Sequence, residues 1–400
     1  MNSFPKLSPT THRTFLKIEA IKRNSALDSL RGFSTILIVV FHTSDVSGYS
    51  VKHAESIGAY IDRLNVGVAI FFVLSGFLIF RPFVHSLIHG STLPVVRHYY
   101  LKRAARILPG YWIALFVLAR LDALTVVNAS GFIRNILLVH PFTANNVFTG
   151  IRQAWTLSVE MSFYIVVPLL AHAFRLRSIK NRSSTTSIRT LLSVLTCIFF
   201  GAYIFQLLVH QTHFWFFKTA NIWLPSHMDT IALGMFIAVL VEAPASTRAL
   251  AQFKSFLANH AGSCILGSIL VWLISANINM PIGLVAPEFR IGLLCHFLYS
   301  ISAFLLVAPF CVESRSILNK VLSFRLFTWL GTISYGIYIW HYATLAGIFA
   351  EKHMPYHEND GKVLLRLLIV FPVSIAIASL SYYFLERPIT RAVSKRFSRK

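Results

Sequence analysis

ALDSLRGFSTILIVVFHTSD, residues 26–45, decides how the rest of the chain is read. It is apolar and long enough to cross a bilayer as a helix. Yet it carries Asp28 and Arg31 near one end and His42 near the other. Arg31 and His42 are eleven residues apart. On a helix that is about three turns, so both side chains share a face and lie roughly 16 Å apart along the axis. Ionisable groups inside a spanning helix are costly and mark an interior site or a pathway. The plainer alternative is an Asp28–Arg31 pair capping the helix at the membrane surface, with His42 merely interfacial. The residues around this segment decide between the two.

Composition sets the class. Of 400 residues, 55% are hydrophobic and only 13% are charged, and the charges cluster between apolar runs. That pattern belongs to an all-α polytopic membrane protein. The net charge of +22 does not point to nucleic acid, because the basic residues sit in short loops and tails. There they set topology and meet anionic lipid headgroups. The four cysteines, Cys197, Cys264, Cys295 and Cys311, fall in apolar runs with no CxxC spacing, so neither a disulfide framework nor a metal site is expected. The first 25 residues are polar and basic and lack the pattern of a signal peptide, so the first span is expected to be retained.

Ten apolar segments of spanning length can be placed, near 27–45, 64–81, 106–127, 155–174, 190–209, 222–241, 262–280, 290–311, 326–349 and 364–386. Threading them alternately through a membrane puts 26 of the 37 lysines and arginines on the side that holds both termini, and 10 on the other. The positive-inside rule then predicts cytoplasmic N and C termini. The expected organisation is a basic cytoplasmic tail at 1–25, a transmembrane domain at 26–388 and a second basic cytoplasmic tail at 389–400. No internal repeat is visible.

Depth along these segments groups the polar residues. Trp155 is an aromatic typical of the interface, and Glu160 follows five residues later, about 7.5 Å deeper. His227, Asp229 and His341 fall at comparable depth in their own segments. Five groups from four segments, with His42 and Glu160 among them, are therefore predicted to share one layer. An intramembrane carboxylate needs a partner or a proton. Arg103 and Arg106 form an RxxR at the other face of the membrane, in HYYLKRAARILPGYW. They share a helix face, and guanidinium forks suit phosphate oxygens. Ordinary positive-inside flanking would also place basic residues there.

At these residues the chain resembles the acyltransferase-3 membrane proteins, which move acyl groups from acyl-coenzyme A to sugars at the cell envelope. The landmarks come in family order: ALDSLRGFSTILIVVFH (26–42), NVGVAIFFVLSGFLI (65–79), RAARILPGYW (103–112), WTLSVEMSFYIVVPLL (155–170), HMDTIALGMFIA (227–238), GTISYGIYIWH (331–341) and YYFLERPI (382–389). The resemblance implies a catalytic role for His42 and a donor-binding role for Arg31, Arg103 and Arg106. Asp28, Asp229, Trp155, Ser158 and His341 are expected to support the site. Met161 and Ser162, and the pair His227–Met228, depart from the family pattern beside Glu160 and Asp229. Some members carry a further domain after the last helix, for which no room is expected here.

The chemistry implied is transfer of an acyl group, most commonly acetyl, from a thioester to a hydroxyl. That reaction needs a base for the hydroxyl proton, and histidine suits neutral pH. His42 is the expected base, its ring oriented by Glu160 or Asp229 as a carboxylate orients histidine in a triad. Acyl-CoA is expected as co-substrate with no bound cofactor. The expected acceptor is an envelope carbohydrate such as lipopolysaccharide O-antigen or capsule, and the expected location is a bacterial inner membrane. A layer of histidines and acids would also suit a proton-coupled transporter, but the internal repeats common in transporter folds are not seen.

Overall fold

The structure is a computed structural model that describes residues 24–121, 128–143, 148–179, 184–212, 219–283, 287–312, 316–349 and 363–398. Most of the predicted N-terminal tail therefore lies outside the described residues. All regular elements among them are helical. The principal helices are α1 (Ser25–Val46), α2 (Val66–Ile88), α3 (Val96–Arg120), α4 (Trp155–Ile179), α5 (Ser184–Gln211) and α6 (Leu224–Glu242). They continue with α7 (Arg248–Asn259), α8 (Ala261–Ala276), α9 (Phe289–Cys311), α10 (Arg325–Phe349), α11 (Val363–Ser381) and α12 (Arg387–Ser398). The Asn24 side chain caps α1 by accepting the Ala26 amide at 3.0 Å, and Asp28 in the first turn suits the positive end of the helix dipole.

Each predicted apolar segment overlaps one of these helices, residues 122–127 of the third lying outside the described residues. Seven stretches among the described residues are long and apolar enough to cross a membrane alone, and the α7–α8 pair, bent by 83°, would make an eighth. Helices α3 and α10 are long enough but interrupt their apolar faces with polar groups, among them Arg103, Arg106, Thr332 and His341. Among the described residues, α12 follows α11 through a π-helical turn at Tyr382–Glu386. Large apolar side chains such as Leu169, Ile204 and Leu368 stay exposed on outer faces, as a lipid-facing surface requires.

Two glycine seams hold the bundle centre together. Along α1 and α10, a Cβ on Gly331 would come within 1.8 Å of the Asp28 carbonyl oxygen, and one on Gly32 within 2.9 Å of the Gly331 amide nitrogen. Along α2 and α6, a Cβ on Gly76 would meet the Ile231 oxygen at 2.2 Å, and one on Gly234 the Val73 oxygen at 2.1 Å. Close backbone approach through small residues is a main source of helix association where lipid is as apolar as leucine. In both seams the partners run in the same direction, so residues equally far beyond each contact meet again. Gly32 to His42 and Gly331 to His341 are each ten residues, about 15 Å of rise. The register of one glycine contact thus brings two histidines together.

Candidate active site

The two ends of α1 open onto different surroundings. At its N-terminal end lies a cavity of about 1030 Å³, at the end of the bundle where the described chain begins and ends. Arg31 from α1 and Arg103 and Arg106 from α3 line it together with Asp28. Arg81, Arg325, Arg387 and Arg391 add four further guanidinium groups, against three carboxylates, Asp28, Glu160 and Glu386. The excess of positive charge and the forked donors suit an anion rich in phosphate. Aromatic walls come from Tyr164, Trp329, Tyr335, Tyr382 and Tyr383, and Arg103 lies over the Tyr164 ring, 5.5 Å from its centroid. The π-helical turn presents Tyr382, Tyr383 and Glu386 to this space. Such turns recur at functional sites because they re-aim side chains without ending the helix.

At the other end of α1, His42 Nδ1 and His341 Nε2 are 2.9 Å apart, and the rings stack with centroids 5.1 Å apart and planes 19° from parallel. His341 is fully buried. Its Nδ1 lies 3.2 Å from the Ile337 carbonyl oxygen, which can only accept. That contact assigns the proton to Nδ1 of His341 and leaves its Nε2 as an acceptor. His42 then donates from Nδ1, and its Nε2 carries a lone pair. Tyr342 meets the His42 ring edge-on at 5.5 Å and accepts a hydrogen bond from Arg152 at 3.0 Å. The Arg152 charge lies within electrostatic reach of both His42 and Asp45.

The expected carboxylate partner of His42 is corrected by this geometry. Glu160 accepts hydrogen bonds from Ser75, through Oε1, and from Tyr164, through Oε2 at 3.3 Å. It lines the arginine cavity, not the histidine pair. The reason is register. The Gln153 amide donates to the carbonyls of Tyr338 and Ile339 at 2.9 and 3.0 Å, which anchors the start of α4 beside α10. Glu160 lies seven residues further along α4, so it falls two turns or more below His341. The Trp155 ring packs 5.4 Å from that of His227.

Asp229 is a second departure. It is fully buried and accepts from His296 Nε2 at 2.9 Å, Tyr203 at 2.8 Å and Ser300 at 2.9 Å. These partners tie α6 to α5 and α9, away from His42. Ser158 is buried, and its hydroxyl donates back to the Ala154 carbonyl at 3.4 Å. The single predicted layer is therefore three groups: the histidine pair, the Asp229 cluster with His227, and Glu160 among the arginines.

A family model described as an acyltransferase domain matches residues 24–383. The chain belongs to the acyltransferase-3 family. It is similar to "Putative peptidoglycan O-acetyltransferase YrhL" of Bacillus subtilis, 25% identical over 94% of this chain and 56% of that protein. It is also similar to "Peptidoglycan O-acetyltransferase OatA" of Listeria monocytogenes, 22% identical over 92% of this chain and 56% of that one. The chain thus spans little more than half the length of these relatives. No solved structure matches it.

In this acyltransferase-3 chain the sequence motifs converge in two places. ALDSLRGFSTILIVVFH and GTISYGIYIWH contribute to both, and RAARILPGYW, WTLSVEMSFYIVVPLL and YYFLERPI to the cavity. Reading the motifs passed over Ser75, Tyr164, Arg152 and Glu386. Arg152 and Glu386 were visible as charges at the edges of apolar runs, but only helix register shows that both face inward.

Proposed function

We propose that the chain is a membrane-bound O-acyltransferase that moves an acyl group, acetyl in the simplest case, from acyl-CoA to a hydroxyl of an envelope carbohydrate. The observation that carries this reading is the pair of ends on α1. One end faces an arginine-rich cavity, and the other presents a neutral imidazole with a free lone pair, roughly 16 Å away by helix rise. The nucleotide and phosphates of acyl-CoA would bind at Arg31, Arg103 and Arg106, and the pantetheine arm would lie along α1 towards His42. In the ten-span arrangement the cavity is cytoplasmic and the histidine pair lies in the outer half of the membrane.

His42 Nε2 would take the proton of the acceptor hydroxyl while its oxygen attacks the thioester carbonyl. Collapse of the tetrahedral intermediate breaks the carbon–sulfur bond, and the thiolate recovers the proton from His42. His341 acts in place of the triad carboxylate. By accepting from His42 Nδ1 it holds the reactive tautomer, a neutral counterpart of the aspartate in a hydrolase triad. Arg152 is the cation best placed to stabilise the oxyanion. The relatives' names point to peptidoglycan as the acceptor, with other envelope glycans of a bacterial inner-membrane pathway as alternatives.

The test is to give acetyl-CoA to membranes holding the protein and to compare envelope glycans of a deletion strain with those of its parent. The reading predicts thiol release that depends on His42, and loss of base-labile acetyl esters from one glycan on deletion. Unchanged esters in every envelope glycan, with no thiol release, would contradict it.

A further inference from the structure

The second glycine seam ends in a group of side chains that acyl transfer does not use. Because α2 and α6 run in the same direction through Gly76 and Gly234, their C-terminal ends emerge together. There HSLIH places His85 in the last turn of α2 and His89, four residues on, at its C-cap. Glu242, the last residue of α6, faces them. One ring nitrogen of His85, one of His89 and one carboxylate oxygen of Glu242 all lie within 4.8 Å of one another. We propose that His85, His89 and Glu242 bind a single divalent transition-metal ion of the zinc class.

The donor set supports this on chemical grounds. Two imidazoles and one carboxylate are a recurrent ligand set for zinc, usually completed by water, at bond lengths of about 2.0–2.2 Å. Tetrahedral ligands at that distance are about 3.4 Å apart. The His89 Nε2 to Glu242 Oε2 separation is already 3.5 Å. The His85 Nδ1 to Oε2 contact, 2.8 Å as a hydrogen bond, need open by only about 0.6 Å. Both imidazoles are half exposed while Glu242 is largely buried, so the ligands can adjust and an ion can enter from water. Arg81 Nε donates to the other carboxylate oxygen, Oε1, at 2.7 Å. That bond fixes the carboxylate and leaves Oε2 turned to the histidines, the kind of outer partner that orients metal ligands. The pattern escapes a sequence reading because Glu242 is 153 residues beyond His89. The site is independent of the acyl-transfer reading.

The test uses the full chain, purified without a histidine tag, stripped with chelator and titrated with Co²⁺ alone as a visible probe. One equivalent should bind, with the absorption of a low-symmetry nitrogen–oxygen site, and Zn²⁺ should displace it. His89→Ala should weaken Co²⁺ binding by more than about tenfold. Because His89 makes no short bond to Glu242, that variant keeps the Arg81–Glu242–His85 contacts and should elute and melt like the parent. Glu242→Gln, which removes one ligand charge, should also abolish the signal. Absence of a one-equivalent site overturns the proposal. So does equal binding by His89→Ala and the parent, or a Co²⁺ signal lost only in His42→Ala, which would place the ion at the other histidine pair.

Discussion

The two ends of α1 are built on opposite principles. Around Arg31 the protein keeps an open cavity with an excess of guanidinium groups on long side chains. Around His42 it keeps almost no freedom. His341 is fully buried, its Nδ1 is tied to its own helix at Ile337, and its Nε2 meets His42. Charge alone recognises a polyanion and tolerates displacement by an ångström. A base must meet its proton within hydrogen-bond reach. Under the proposed function, donor recognition is electrostatic and spread over many residues, whereas the chemistry depends on the register of one helix pair.

The largest effect should come from breaking that register. Gly331→Leu forces α1 and α10 apart at Asp28, so the variant should lose acyl transfer completely. It should also melt well below the parent in detergent, as overpacking of a tight contact costs about 1–3 kcal/mol or more. A fully active, equally stable Gly331→Leu protein would remove the seam from the account.

At the cavity the effects should be smaller and of a different kind. Arg103→Lys and Arg106→Lys keep the charge but lose the planar fork. Each should raise the KM for acyl-CoA with little change in kcat, and the wild-type KM should rise with ionic strength because phosphate contacts are screened by salt. Lysine variants with wild-type KM would mean that these arginines serve only topology.

The helix pattern, the family and the meeting of Arg31, Arg103 and Arg106 were all legible in the sequence. They depend on local hydropathy and on motifs that each sit on one helix. The partner of His42 was not. Depth along α4 says nothing of its register against α10, which the Gln153 contacts with the Tyr338 and Ile339 carbonyls set. Asp229 misled in the same way: its depth matched His42, but its neighbours are His296, Tyr203 and Ser300. Periodicity assigns a residue to a face and a level on its own helix, and only packing says which other helix it meets.

The smallest effect follows from that correction. Glu160→Gln keeps the contacts to Ser75 and Tyr164 in shape while removing one negative charge from the cavity. Its kcat at saturating acyl-CoA should stay within a few-fold of wild type, and its KM should change modestly. A loss as deep as that of a general base, about 10²–10⁴-fold, would restore Glu160 as the partner of His42.

The most direct measurement is a double-variant cycle on the two histidines, reading kcat for acyl transfer at saturating acyl-CoA. His42→Ala should cost about 10²–10⁴-fold, and His341→Ala should cost less, because an untethered ring still samples the reactive tautomer. The double variant should be no slower than His42→Ala alone, since groups that act as one unit are not additive. Losses that multiply, or a His42→Ala protein that transfers at near the wild-type rate, would contradict the claim that the base is His42 held by His341.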